Sequence, residues 1–213
     1  MNNGMTWFSG LASTLSTLAR STNTLSNALL NTSAHYDISN DIFSTFLSED
    51  MTYSCPIWRK HDSSNTIGES LEEAQLTKLG RFIDGTKLKA TDHVLEIGTG
   101  WGSFAIEAVR KTGCRVTSVT LSREQKLLAE QRIRDADFAD RITVLLMDYR
   151  ALPTPEVPYD KIVSIEMLEA VGKEYLGMYF KCLDRLLKRD GIAMFQCITM
   201  PEGRHEAYSK SEE

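Results

Sequence analysis

Nothing in this sequence approaches the roughly 20 consecutive apolar residues that cross a bilayer, so no membrane-spanning helix is expected. Positive charge is short as well: 24 Lys and Arg face 29 Asp and Glu, for a net charge of -5. Without clustered basic residues, nucleic acid is not an expected partner. The four cysteines, Cys55, Cys114, Cys182 and Cys197, form no Cys-x-x-Cys pair and have no histidine pattern beside them. That argues against a metal site and a disulfide framework, and fits a reducing, intracellular setting. A secretory leader needs a basic start and a continuous apolar stretch, whereas residues 1–34 hold a single charge, Arg20, among many Ser, Thr and Asn. The cytoplasm is the expectation. A Ser-rich, acid-poor transit peptide is the alternative, although such peptides usually carry several Arg.

What is present suits one globular domain. A chain of 213 residues with 42% hydrophobic and 25% charged content can bury a proper core. Three stretches differ in texture. Residues 1–34 place Trp7, Phe8, Leu11, Leu15 and Leu18, then Leu25, Leu29 and Leu30, at near-helical intervals, predicting one or two mildly amphipathic helices or a flexible segment. Residues 35–90 read as a helical cap. A short helix is expected near Asn40 with Ile42, Phe43 and Phe46 as its apolar face, then a polar loop from His61 to Glu69. A second helix follows, opened by the capping-box pair Ser70 and Glu73.

Residues 91–213 alternate short apolar runs with helical periods, the signature of an α/β fold with a mostly parallel sheet. Strands are expected at Val94–Ile97, Arg115–Thr120, Ile142–Met147, Lys161–Ile165 and Ile192–Ile198. A helix from Ser103 to Lys111 should close at Gly113, and another should open at the Ser122 and Gln125 pair. Pro153, Pro155 and Pro158 mark an irregular loop. Leu176, Phe180, Leu183 and Leu187 then share a helical face, with Gly191 ending that helix.

The run Glu96-Ile97-Gly98-Thr99-Gly100-Trp101-Gly102 lies where a buried strand gives way to a helix. Glycines there let the backbone turn tightly and approach a nucleotide, and the helix start offers free N–H groups. The dinucleotide fingerprint Gly-x-Gly-x-x-Gly would place its last glycine at Ser103, which weighs against a dehydrogenase. An acidic residue two positions before Gly-x-Gly-x-Gly resembles the first motif of class I methyltransferases.

Around that loop stand, in order, His35-Tyr36-Asp37-Ile38-Ser39-Asn40, Met51-Thr52-Tyr53-Ser54-Cys55, Leu71-Glu72-Glu73-Ala74-Gln75, Thr120-Leu121-Ser122-Arg123-Glu124-Gln125, Asp148-Tyr149-Arg150, Ser164-Ile165-Glu166-Met167-Leu168-Glu169-Ala170-Val171-Gly172 and Gln196-Cys197-Ile198-Thr199. This ordered set, between His35 and Tyr208, resembles the cyclopropane-fatty-acyl-phospholipid synthases, a family that includes the mycolic acid cyclopropane synthases. The resemblance implies a Rossmann-like fold and S-adenosylmethionine as cofactor. By that resemblance Tyr53, Ser54, Gly98 and Gly100 line the methionine and ribose portions, and Glu96, Trp101 and Gly102 belong to the same cofactor loop. Thr120, Leu121 and Gln125 stand where most class I methyltransferases use a carboxylate for the ribose hydroxyls. Asp148 and Tyr149 are expected at adenine, with an Asx turn as the alternative use of Asp148.

The implied chemistry is methyl transfer to a cis double bond of a phospholipid acyl chain. It needs a dry pocket, negative charge near a developing cation and an acceptor for one proton. The resemblance implies bicarbonate as the base, held by groups that include Cys55 and Glu169, with Glu169 a partly buried carboxylate. Cys55 as a small buried hydrophobe is the plainer alternative. Ala170 and Gln196 stand where bacterial members have histidines, as in plant and fungal relatives. Gln196 can donate to an anion but cannot carry a proton. Class I sheets have seven strands, so the five strands recognisable before Glu213 predict a chain truncated at its C-terminus. Peripheral membrane contact is expected, and a homo-oligomer is compatible with the resemblance. N-methylation of a small amine, and cofactor binding without turnover, are the alternative functions.

Overall fold

The computed structural model describes residues 40–59 and 68–204. The amphipathic pattern of residues 1–34, the His35–Ser39 part of the first family segment and most of the expected His61–Glu69 loop lie outside them, as does Tyr208. Ten elements position the site. They are α1 (Asn40–Ser44), α2 (Leu71–Thr86), β1 (His93–Ile97), α3 (Ser103–Thr112), β2 (Arg115–Thr120), α4 (Arg123–Asp135), β3 (Ile142–Leu146), β4 (Tyr159–Ile165), α5 (Leu176–Leu186) and β5 (Leu187–Gln196).

Among the described residues all four strand pairings are parallel, in the order β3-β2-β1-β4-β5. Parallel strands need helical crossovers, so both sheet faces are covered and the strands are apolar on both. Alternation along β1 divides the core: Val94 joins Phe82, Phe104 and Val116 on one face, while Leu95 and Ile97 join Tyr149, Ile162 and Leu183 on the other. Each such side chain taken fully out of water stabilises by about 1.5–3 kcal/mol before entropic costs. Because the chain moves outward from β1 in both directions, a crevice opens between β1 and β4 at the strands' C-terminal ends.

The helix boundaries follow their caps. Ser70 and Glu73 form the full reciprocal capping box of α2. Gly113, at φ 75, closes α3 by donating to the Val109 carbonyl at 2.8 Å. Ser122 caps α4, but only half of the expected box forms, because the Gln125 side chain turns instead to accept from the Thr120 hydroxyl at 2.9 Å. On α1 only Phe43 is buried; Ile42 and Phe46 face outward, against the expectation. On α5 the buried residues are Tyr179, Cys182, Leu183 and Leu186, and Phe180 is exposed.

Gly191 does not end α5, which stops at Leu186 and runs directly into β5. Pairing between β4 and β5 advances from Tyr159–Leu187 to Lys161–Ile192, two residues on one strand against five on the other. The surplus bulges out. A Cβ on Gly191 would come within 2.6 Å of Leu187, so glycine lets the bulge fold back on the strand start. No described helix is long and apolar enough to cross a membrane.

Candidate active site

The crevice holds a cavity of about 310 Å³, walled by the loop after β1, the ends of β2, β3 and β4, and the Met51–Ser54 stretch between α1 and α2. The loop after β1 has three glycines with positive φ, at 98, 100 and 102. At Gly98 the requirement is strict: φ is 100, and a Cβ would stand 2.7 Å from Met167 Cγ, just past β4. The backbone N–H groups of Gly98 and Thr99 both donate to the Val119 carbonyl, at 3.0 and 3.2 Å, which ties the loop to β2. Gly100 has open space where a Cβ would point.

Glu96, 3% exposed, lies one residue before the end of β1. Its carboxylate accepts from the Ser118 hydroxyl at 2.6 Å, and Ser118 in turn is 2.6 Å from the Thr99 hydroxyl. Burial pushes the Glu96 carboxyl up to about 8, with the Ser118 bond opposing the rise. Across the cavity Thr120 and Gln125 bond each other at the end of β2. Asp148 caps the short turn after β3 by accepting from Arg150 N at 2.8 Å, the Asx geometry. Its carboxylate also takes Arg150 Nε at 2.9 Å and Nη2 at 2.6 Å, so adenine would have to share an acceptor already bonded to a cation. The Tyr149 ring is buried against Tyr179, centroids 5.0 Å apart, and burial lifts its hydroxyl to about 12.

Of the expected cofactor residues, Tyr53, Ser54, Glu96, Gly98, Gly100, Trp101, Thr120, Leu121, Gln125, Asp148 and Tyr149 line this cavity. Gly102 does not; it is the N-cap of α3, with the space for a Cβ filled by Ala129 at 3.3 Å. Trp101 is 2% exposed, and its indole donates to Asn40 at 2.7 Å and packs on Phe43, ring centroids 4.9 Å apart. The Trp101 side chain therefore anchors α1 to the glycine loop.

The expected catalytic residues divide. Glu169 lines the cavity but is exposed, and its carboxylate accepts from Ile198 N; the expected partial burial is corrected. Cys55 and Gln196 stay outside the lining, and Cys55 is exposed, so it is no buried hydrophobe. Both attach instead to Glu166, which does line the cavity. Glu166 Oε1 accepts from Cys55 N at 2.9 Å and from Gln196 Nε2 at 2.7 Å, and Gln196 Nε2 also reaches the Cys55 carbonyl at 3.2 Å.

Sequence reasoning passed over Glu166 and Lys78. Glu166 has φ 50, a left-handed backbone that a side-chain-bearing residue seldom adopts and that no sequence pattern announces. Lys78 did leave a signal: it falls at helical spacing between Ala74 and Phe82 on the buried stripe of α2, and is 0% exposed. Its ammonium donates to the Ser54 hydroxyl, and the neighbouring Gln75 amide holds the Ser54 carbonyl at 2.8 Å. Burial lowers Lys78 to about 8 against the pull of Glu166, Asp50 and Cys55. Among the described residues no group of three or more His, Cys, Asp or Glu side chains gathers to hold a metal.

A family model described as mycolic acid cyclopropane synthetase matches residues 23–212. The chain belongs to this family. Tuberculostearic acid methyltransferase UfaA1 of Mycobacterium tuberculosis is 43% identical over 175 residues, covering 82% of this chain and 40% of that protein. Cyclopropane-fatty-acyl-phospholipid synthase of Escherichia coli is 38% identical over 164 residues, covering 77% of this chain and 39% of its own length. The chain thus spans about two fifths of the length of these two relatives. Among solved structures, mycolic acid cyclopropane synthase CmaA1 complexed with SAH and CTAB superposes with a TM-score of 0.75 at 32% identity, covering 84% of this chain and 60% of that one. The fold of the synthetase family is therefore the class I, Rossmann-like methyltransferase fold, and its members are S-adenosylmethionine-dependent methyltransferases.

Proposed function

We propose that this chain is the cofactor-binding part of a methyltransferase acting on unsaturated fatty acyl chains of phospholipids, producing cyclopropane or methyl-branched chains. What carries the reading is the joining, in one cavity, of the glycine loop after β1 with Glu166 and Glu169 after β4. When bound, S-adenosylmethionine supplies a methyl group on a positively charged sulfur. In this reading the residues of the chain hold the cofactor and shape what it meets. Gly98 and Gly100 let it lie against the backbone, Glu96 and the Thr120–Gln125 pair offer polar partners, and Tyr53 and Ser54 close one wall.

Carboxylates beside an otherwise largely apolar wall suit a reaction that builds positive charge on carbon. Tyr53 and Ile198 line the cavity and are exposed, giving an apolar rim where an acyl chain can enter. That rim supports peripheral contact with a lipid surface. The test is incubation with methyl-labelled S-adenosylmethionine and vesicles of unsaturated phosphatidylcholine, followed by mass spectrometry of the released acyl chains. A labelled one-carbon increase is expected. Calorimetric cofactor binding without any labelled acyl product would replace this reading with that of a binding module.

A further inference from the structure

We infer that the Glu166 carboxylate occupies the place where the family resemblance expects bicarbonate, and that Glu166 itself accepts the proton released in the reaction. The inference rests on the methyl-transfer reading above. Among the described residues, the donors bonded to the carboxylates beyond β4 are the backbone N–H groups of Cys55 and Ile198 and the side-chain amide of Gln196. Each already serves a carboxylate of this chain. Cys55 N and Gln196 Nε2 reach Glu166 at 2.9 and 2.7 Å, and Ile198 N reaches Glu169.

The other amide hydrogen of Gln196 goes to the Cys55 carbonyl at 3.2 Å. The Gln196 oxygen is buried with no partner among the described residues. Turning the amide over would set that oxygen against the Glu166 carboxylate and the Cys55 carbonyl, so its orientation is fixed by its neighbours. A bicarbonate ion has one O–H and could donate it to one carboxylate, as the resemblance expects at Glu169, but it would then face the Glu166 carboxylate and an acceptor oxygen with these donors already taken. Like charges at that range repel, and bicarbonate does not fit.

Glu166, by contrast, is held as a working group is held. Its backbone takes the left-handed φ of 50, and its N–H donates to the Gln196 carbonyl at 2.9 Å, fixing it to β5. Strained backbone of this kind persists where the surroundings over-determine it, commonly at functional sites. Both bonds to the carboxylate fall on Oε1, and Glu166 lines the cavity. The buried Lys78 ammonium supplies a compensating positive field.

The alkene's π pair forms a bond to the incoming methyl carbon as the carbon–sulfur bond breaks, its pair staying on sulfur, and a carbocation is left on the chain. A C–H bond of the added methyl then breaks, its pair closes the third side of the ring, and the proton passes to a Glu166 oxygen. Exchange with water restores the carboxylate.

The test compares wild type with Glu166→Gln and Glu166→Gly as full chains, in buffer purged of carbon dioxide and again with added bicarbonate. Wild-type turnover should be indifferent to bicarbonate. Glu166→Gln should lose on the order of 100-fold or more in turnover with cofactor affinity retained. Glu166→Gly relaxes the backbone and frees the Cys55 and Gln196 donors, so added bicarbonate should restore part of its activity. Isotope-labelled bicarbonate followed by carbon NMR gives a readout independent of turnover: binding to Glu166→Gly and none to wild type. Bicarbonate bound by wild type, or full turnover by Glu166→Gln, overturns the inference. If wild type makes no lipid product at all, the lipid reading falls, and the NMR titration still decides who holds the anion place.

Discussion

The two ends of the cavity are built by opposite means. At the β1–α3 turn the wall is a single run from Glu96 to Trp101, shaped by backbone torsions and by N–H groups tied to Val119. Beyond β4 the wall joins Glu166, Glu169 and Ile198, with Cys55 and Gln196 bonded to Glu166 behind it, all drawn from distant parts of the chain and held by side-chain bonds. A backbone-made wall tolerates little change in residue type but is legible locally. A side-chain-made wall exists only once the sheet has brought its pieces together.

The contrast can be broken most forcefully at Gly98. In Gly98→Ala the new Cβ meets Met167 and the φ of 100 becomes strained, so cofactor affinity measured by calorimetry should fall roughly 100-fold, with circular dichroism unchanged. An affinity close to wild type would mean that backbone shape does not govern that end.

A smaller effect separates the buried carboxylate from the loop that surrounds it. The folded-state carboxyl of Glu96 is raised to about 8 from 4.5, so the folded chain keeps a proton that the unfolded chain releases. The stability it contributes is whole below pH 4.5 and is lost as pH rises toward 8. Glu96→Gln cannot titrate. The melting temperature of its cofactor-free form should vary less over that window than wild type and lie above it at the alkaline end. Parallel curves for the two proteins would show that Glu96 is not the source.

The smallest effect serves as a control on the helix behind the second wall. Ser70→Ala removes the capping box of α2 and should cost about 1 kcal/mol in denaturant unfolding, while cofactor affinity holds. Loss of affinity would mean that the α2 start, and not only Gln75 and Lys78 further along, positions Ser54.

How far the sequence could be read follows the same division. Strands β1 to β4 are short apolar runs set by local composition, and their expected limits agree with the structure to within two residues. The start of β5 was not legible, because the bulge at Gly191 depends on where β4 lies. Periodicity picked out Phe43 on α1 and Leu176, Leu183 and Leu187 at α5 correctly, but also put the exposed Ile42, Phe46 and Phe180 on those faces, since spacing alone does not say how far round a helix the core reaches. The glycine loop could be named from its residues. The bonding of Glu166 to Cys55 and Gln196 could not, as it spans sequence separations of 111 and 30.

Trp101 gives the glycine loop an optical consequence. Its indole sits in a dry environment shared with Asn40 and Phe43, one residue beyond the glycine that faces open space. A ligand that reshaped the turn would alter the polarity around that indole, so occupancy at the strand ends should register as a change in intrinsic fluorescence without any attached dye.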